Sequence, residues 1–578
     1  MATNTSAKKT RSQKRQSIIR IIIMAAILVC INMIAAFYHY GLDLTKEKRF
    51  TLSEPTKKLL RKMDDVAVID VYLKGKFPAG FQRLAASTRE RLQSFKDVAG
   101  NKIVVRFIDP FEGKTEEEKG PIFQQLAAKD INGVNLQTRD EEEGYAEKII
   151  FPYALVKYKG REMPVRLLEN NKGFNPLQNL GTSETLLEYK FANALNTLMQ
   201  PAKPEIAYII GHGESIGWNT YDLLTTLTDK YKVDTFDLAA NMYIPNYYKA
   251  IIINKPTEPL DDKEKFKIDQ YVMGGGHILW AIDQLFTPMD SLNAGGTFMT
   301  LDYDLGLDDQ LFKWGVRINR DVIEDLQQCL PIPVQVGLQG DNRPQLQNMP
   351  WIYYPVFTPT SSHPIVKNLN AIMGRFVNSI DTVAAPGVKK TILLQSSQYS
   401  RVEEFPVRIS LSILKYPLTP DMFKKPYRTA AVLLEGKFNS IFEHRLAPSF
   451  LHILQDSLKR QYKPVSDSAT SMIVISDGDI MDNDFSQSQG PMEMGYWKYI
   501  NTRFSNKEFI LNCLEYLTDP SGILEARAKD LVIRKLDNKR ATQEKVKWRI
   551  VNIGIPVALV LLFASAFIFF RKRRYEKK

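Results

Sequence analysis

EIAYIIGHGE at residues 205–214, YKAIIINKP at 248–256 and HILWAID at 277–283 decide the reading of this chain. Each carries an unbroken apolar run, at 206–210, 250–253 and 278–282. A strand apolar at every position is covered on both faces, which is the situation of a parallel sheet flanked by helices. Helical patterns separate the three: NTYDLLTTLTDKY (219–231) and DDKEKFKIDQYVMGG (261–275). KVDTFDL (232–238), TILLQSS (391–397), AAVLLEGKF (430–438) and SMIVIS (471–476) add further strands to the same region. Loops that follow parallel strands collect at one edge of the sheet, where ligands usually sit. His212 and Glu214 in the first loop, Asp283 after HILWAI, and Asp477 and Asp479 after SMIVIS are therefore the candidate ligand or partner surface. The competing reading is a tight glycine turn with a partly buried histidine. The run Gly274-Gly275-Gly276 precedes a strand and lacks G-x-G-x-x-G spacing, so it ends a helix and cradles no phosphate.

Outward toward the amino end, RFTLSEPTKKLLRKM (49–63) places Ser53 as a helix cap with Glu54 and Pro55 in the first turn. DVAVIDVYLKG (65–75), FQRLAASTRERLQSFKDVAG (81–100) and NKIVVRFIDP (101–110) read as strand, helix, strand, and that order predicts a right-handed parallel crossover. A helix at PIFQQLAAKD (121–130) and two strands around Lys159-Gly160 follow. This succession is similar to the thioredoxin-like arrangement, but no Cys-x-x-Cys occurs, so its thiol chemistry is absent. SETLLEYKFANALNTLM (183–199) predicts an amphipathic helix capped by Ser183, and PAKP after it marks a boundary.

Farther out lie two long apolar stretches, IIRIIIMAAILVCINMIAAFY (18–38) and IVNIGIPVALVLLFASAFIFF (550–570). A helix of about 20 residues matches a hydrocarbon layer of about 30 Å, so both are expected to span a membrane. The alternatives are a cleaved signal peptide for the first and a buried core helix for the second. Of the +12 formal charge, eleven units sit in residues 1–20 and 571–578, so the body is nearly neutral and a nucleic-acid groove is not indicated. Basic tails beside two spans place both ends in the cytoplasm and the body outside it, periplasmic beyond an inner membrane. Lys46, Lys48, Arg49, Lys545, Lys547 and Arg549 at the other face weaken that asymmetry.

The expected organisation is a basic tail (1–17), a span (18–38), a linker and short helix (39–63), an α/β domain (64–200) and a larger parallel-sheet α/β domain (201–525). An excursion near 330–385, a membrane-proximal helix (526–549), a second span (550–570) and a basic tail (571–578) complete it.

Several motifs together resemble one family. They are RFTLSEPTKKLL (49–60), AYIIGHGE (207–214), KFKIDQYVMGGGHILWAID (265–283), PWIYYPVF (350–357) with SSHPIVKNL (361–369), and MIVISDGDIM (472–481) with NKEFILNCLEYL (506–517). The set resembles the ABC transporter auxiliary domain family, and within it the gliding-motility auxiliary proteins of the GldG type. The resemblance implies a core similar to class I glutamine amidotransferases. It also implies a non-enzymatic subunit that works with a separate ABC permease and ATPase, needs no cofactor, and is held in the bilayer by its two spans. The residues agree in one respect: no G-x-x-x-x-G-K-[ST] is present, so ATP hydrolysis falls to another chain.

An amidotransferase-like fold calls for a cysteine on a sharp turn beside a histidine. Cys513 instead sits within an apolar helical pattern, and Cys329 precedes prolines with no histidine near it. The acidic run Asp477, Asp479, Asp482 and Asp484 lacks EF-hand spacing; a hard cation is the minor reading and a solvated loop the default. Trp351, Tyr353 and Tyr354 can stack on a sugar or peptide, with core packing as the competing reading. A receptor for a small ligand or peptide is the runner-up function, and a degenerate hydrolase is a distant third.

Overall fold

The computed structural model describes residues 19–30, 32–33, 51–75, 77–140, 144–169, 175–289, 292, 296–339, 343–456, 459–528 and 542–575. Residues 1–529 and 530–578 form two separate units. The first unit is mixed α/β.

Beyond the apolar helical segment Ile19–Cys30, its folded body begins with helix α1 (Glu54–Lys62), where Ser53 Oγ accepts from the Thr56 amide as expected of a cap. Strand β1 (Ala67–Val71), helix α2 (Ala79–Ala99) and strand β2 (Ile103–Phe107) form the predicted crossover, with β1 and β2 parallel. Strands β3 (Tyr153–Tyr158) and β4 (Arg161–Arg166) complete a four-stranded sheet of order β2-β1-β3-β4, in which β3 is antiparallel to β1 and to β4. Lys159 and Gly160 take φ of 47° and 75°, which matches the twist that a two-residue hairpin requires. A separate hairpin, Val134–Asp140 with Gly144–Ile150, was not foreseen. Asp70, buried on β1, is held by Arg106 at 2.6 and 2.8 Å and by Lys157 at 3.0 Å.

Helix α3 (Pro176–Met199) corrects the sequence reading. The cap is Asn175, in a reciprocal box with Gln178, and Pro176 occupies the first turn. Ser183 lies about two turns inside, donating back to the Asn179 carbonyl at 2.7 Å and accepting from the Glu169 amide at 2.8 Å.

The larger sheet has seven strands: β5 (Glu205–Ile210), β6 (Lys232–Asp237), β7 (Ala250–Asn254), β8 (His277–Ala281), β9 (Val388–Gln395), β10 (Thr429–Gly436) and β11 (Thr470–Ile475). Their order is β9-β10-β11-β8-β7-β5-β6. From β11 to β6 neighbouring strands are parallel, whereas β10 is antiparallel to both neighbours, so the sheet is mixed at that side. Helices α4 (Tyr221–Lys230), α5 (Asp262–Met273) and α6 (Asn506–Thr518) cover its faces.

Alternate strand residues enter different cores, as burial on both faces demands. Ile206, Tyr208, Ile252, Leu279 and Ile473 pack in one cluster, and Ala207, Ile209, Ile253, Trp280 and Val474 in another. Each Ile, Leu or Val among them contributes about 1.5–3 kcal/mol over an exposed one. The first cluster also contains Ile69, Phe95 and Phe191, so both sheets share it.

Between β8 and β9 the chain leaves the sheet for residues 282–387, earlier than the excursion expected at 330–385. Its centre is a long antiparallel hairpin, Cys329–Gln339 with Arg343–Phe357. This ribbon, joined at its inner end by the short strand Ile372–Met373, tolerates prolines at 331, 333, 344, 350 and 355 because few ladder donors are required along its two outer edges.

In the second unit, helix α7 (Lys545–Tyr575) is continuous through the approach and the apolar stretch. Its segment Lys545–Arg573 is long and apolar enough to cross a membrane, and the most apolar part is buried against nothing. Of the first apolar stretch, Ile19–Cys30 is helical and shorter than a span; the rest, apart from residues 32–33, lies outside the described residues, as do all of the first basic tail and residues 576–578 of the second. Of the expected membrane-proximal helix, 545–549 belong to α7, and 529–541 lie outside the described residues.

Candidate functional site

Strands β11, β8, β7 and β5 end side by side, and the loops that follow them meet at that edge. The chain leaves β5 toward β6 on one side, while β7 lies on the other; this is the switch point at which α/β sheets commonly open a crevice. Here a network of polar side chains fills the edge.

Lys255, directly after β7, reaches Asp283 after β8 at 3.3 Å and forms an ion pair with Asp479 after β11. The Gly478 amide donates to Asp283 Oδ1 at 2.6 Å. Asp482 accepts from Ser215 Oγ at 3.1 Å and from Asn254 Nδ2 at 3.4 Å, and the same amide donates to Tyr208 Oη at 3.2 Å. Arg375, from the excursion, donates its backbone amide to Asp477 Oδ2 at 3.0 Å and its guanidinium to Asp484 at 2.8 Å. Gly478 is needed for space, since a Cβ there would lie 2.7 Å from the Lys255 stem.

Five carboxylates, Asp283, Asp477, Asp479, Asp482 and Asp484, share this edge with one ammonium and one guanidinium. Burial pushes Asp477 well above the ordinary carboxylate range, Asp283 up to about 6 and Asp482 up to about 7. Burial acts on Asp479 as well, but Lys255 and Arg375 outweigh it and hold that group below its ordinary value. Burial works against the charge on Lys255, yet Asp479, Asp283 and Asp482 raise it above a normal lysine. Asp477 Oδ1, Asn254 Oδ1 and Arg375 Nε are buried without hydrogen-bond partners.

His212 belongs to the same edge but looks toward α5. Its Nε2 lies 3.0 Å from Glu264 Oε2, its amide donates to Glu214 Oε2 at 2.7 Å, and its carbonyl accepts from the amides of Thr257 and Glu258. Glu264 in turn completes the cap of α5. Gly213, at φ 74°, passes so close to Thr257 that a Cβ would fall 2.0 Å from its hydroxyl. Burial raises Glu214. The pair therefore ties the β5 loop to the helix N-terminus.

Of the sequence-derived candidates, His212, Glu214, Asp283, Asp477 and Asp479 share one edge, and all lie inside the fold. Trp351, Tyr353 and Tyr354 do not present a surface: they are 0%, 2% and 4% exposed, within the core of the excursion. Trp351 packs on Tyr353 at 5.0 Å and Tyr354 on Trp497 at 5.7 Å. Sequence reasoning passed over Lys255 and Arg375. Lys255 had a signal, a lone cation directly after a strand of the parallel sheet; Arg375 had none.

Among the described residues no group of His, Cys, Asp or Glu has the arrangement of a metal site, and Lys255 and Arg375 already meet the acidic run. Cys329 and Cys513 are unpaired. Burial pushes the Cys329 thiol up to about 12 and that of Cys513 well above its ordinary value, so neither is a thiolate nucleophile at neutral pH. An open cleft of about 1180 Å³ lies between the excursion and the loop near 441–445, and no side chain of the edge network lines it. Its walls neutralise themselves: Arg320 meets Asp302 and Asp308, Arg317 meets Asp381, and Arg445 meets Asp309.

Comparison with known proteins locates two family matches. Residues 203–513, more than half of the chain, match a family described as an ABC-type uncharacterized transport system. Residues 46–157 match a domain of unknown function, DUF7088. An uncharacterized protein of Borreliella burgdorferi is 21% identical over 553 residues, which cover 93% of this chain and 94% of that one. Among solved structures, the mmIFT52 N-terminal domain aligns with 54% of this chain and 97% of its own, at 12% identity and a TM-score of 0.29, too distant to support any argument.

Proposed function

The chain belongs to the ABC-type uncharacterized transport system family, and from that premise we propose that it is a non-enzymatic, membrane-anchored auxiliary subunit that works with a separate permease and ATPase. The observation that carries this reading is α7: 29 residues, Lys545–Arg573, form an apolar helix whose most apolar stretch is unburied among the described residues, in a chain of a transport family. Such a surface is covered by lipid or by another spanning helix. In this reading residues 18–38 supply a second span, both tails are cytoplasmic, and the body stands in the periplasm.

The order and directions of β1 to β4 support a thioredoxin-like reading of the smaller sheet. The switch point between β5 and β7 supports an amidotransferase-like reading of the larger one. We place the complex in gliding motility on the strength of the motifs at 207–214, 265–283 and 472–481. The edge network has the character of a clamp: it joins four loops of the sheet to the excursion, which suits a rigid docking body better than an open ligand crevice.

Isolation of the tagged full-length chain in mild detergent tests the assignment. A permease and an ATPase are expected to accompany it in fixed proportion. The chain emerging alone, both with and without prior crosslinking in cells, refutes it. Topology reporters at residues 1, 230 and 578 are expected to report cytoplasm, periplasm and cytoplasm.

A further inference from the structure

A second cavity, of about 300 Å³, lies outside the edge network. It is bounded by the loop after β6, by one face of α5 and by the segment that leads to β11. Its volume falls at the lower end of the range for small-molecule sites, roughly 300 Å³. The lining has two properties that single it out within this molecule.

The first is charge. Lys267, Arg460 and Lys463 line the cavity, and no carboxylate does. Lys267 donates to the Leu238 carbonyl at 2.7 Å, and Lys463 pairs with Asp467, so both are engaged. Arg460 pairs with no carboxylate among the described residues. Its guanidinium lies 3.6 Å from the centroid of the Tyr243 ring, which fixes its plane and leaves its edge donors directed elsewhere. A guanidinium held in this way presents the planar fork that a carboxylate matches.

The second is the wall. Four aromatic rings, Tyr243, Phe266, Tyr271 and Tyr462, contribute to it. Phe266 and Tyr462 lie nearly parallel, 20° apart at 6.4 Å. The far side is held in place, because Gln270 donates to the Lys463 carbonyl at 3.0 Å and accepts from its amide at 2.9 Å. Flat apolar faces with one unmatched planar cation define the chemistry of the occupant.

We propose that this cavity is a binding site for a small aryl carboxylate, its ring against the aromatic wall and its carboxylate on Arg460. The site is independent of the assembly proposed above, and its test requires neither permease nor ATPase.

The test uses the full-length chain in nanodiscs and titration calorimetry, with empty nanodiscs as the blank. The probes are indole-3-acetate, phenylacetate and 2-naphthoate, each against its neutral amide. Saturable binding of at least one acid is expected, with its amide weaker by about tenfold or more. Arg460→Met is expected to abolish the preference for the acid, and Tyr243→Ala to weaken the acid as well. Tyr243 is exposed and Arg460 half-buried, and an unchanged melting temperature confirms that the variants fold. Absence of saturable binding by all three acids, equal binding of acid and amide, or acid binding unchanged in Arg460→Met each overturns the proposal.

Discussion

Lys255 carries more of the edge network than any other side chain. Among the described residues it is the one ammonium paired with Asp283 and Asp479, and it reaches two strand ends other than its own. Removing one partner of a buried charge cluster strands the others. Lys255→Met is therefore expected to lower unfolding free energy by about 3–5 kcal/mol, measured by denaturant titration at neutral pH. The same residues make stability depend on pH. In the folded chain Asp283 and Asp482 keep their protons up to about pH 6 and 7, whereas unfolded aspartates release theirs near pH 4. Within that window the folded state binds more protons, so stability falls as pH rises through it. The melting temperature is expected to be higher at pH 6 than at pH 8. Asp482→Asn, with no proton to lose, is expected to flatten the difference; an unaltered slope in that variant would exclude Asp482 as its source. The acidic residues of this network were visible in the sequence because they directly follow apolar strands. Arg375 was not, because it comes from an excursion whose return path no periodicity encodes.

At the scale of elements, continuous apolar runs proved a dependable guide. β5, β7 and β8 stand where 206–210, 250–253 and 278–282 placed them, because burial on both faces leaves no other composition. Helix α3 shows where local signals compete. Ser183 precedes a strongly periodic stretch and resembles a cap, but Asn175, Pro176 and Gln178 form a complete initiation signal eight residues earlier. The serine then satisfies its hydroxyl against the preceding turn, an option open to any serine within a helix. Asn175→Ala is expected to cost about 1 kcal/mol through the lost cap. Leu195→Ala, at a fully buried position of the same helix, is expected to cost about 2–5 kcal/mol. Thermal unfolding of the two variants side by side measures the contrast. The short strands between 285 and 325 left no comparable trace, since two to five residues are too few for an alternation to stand out.

On the scale of the whole molecule, α3 joins the two sheets. Phe191 meets Phe95 of α2 at 6.4 Å, and Tyr189 donates to Glu515 of α6 at 2.6 Å across 326 residues of sequence. Asn193 reaches the same carboxylate and Asn196 reaches Asp519. Ser53, at the start of α1, donates its amide to Glu188 at 2.6 Å. With one core cluster common to both sheets, calorimetry of the chain is expected to show a single cooperative transition for the first unit. Two well-separated transitions would show that residues 64–200 and 201–525 unfold on their own. The sequence indicated two regions and a boundary at PAKP, but contacts between segments several hundred residues apart leave no signature in a single chain.

A 24-residue helix is about 36 Å long, and this one is held by α2 and the smaller sheet on one side and by α6 and the residues after it on the other. It therefore acts as a splint: with this bar packed on both sides, the two sheets are expected to tilt together and not to hinge.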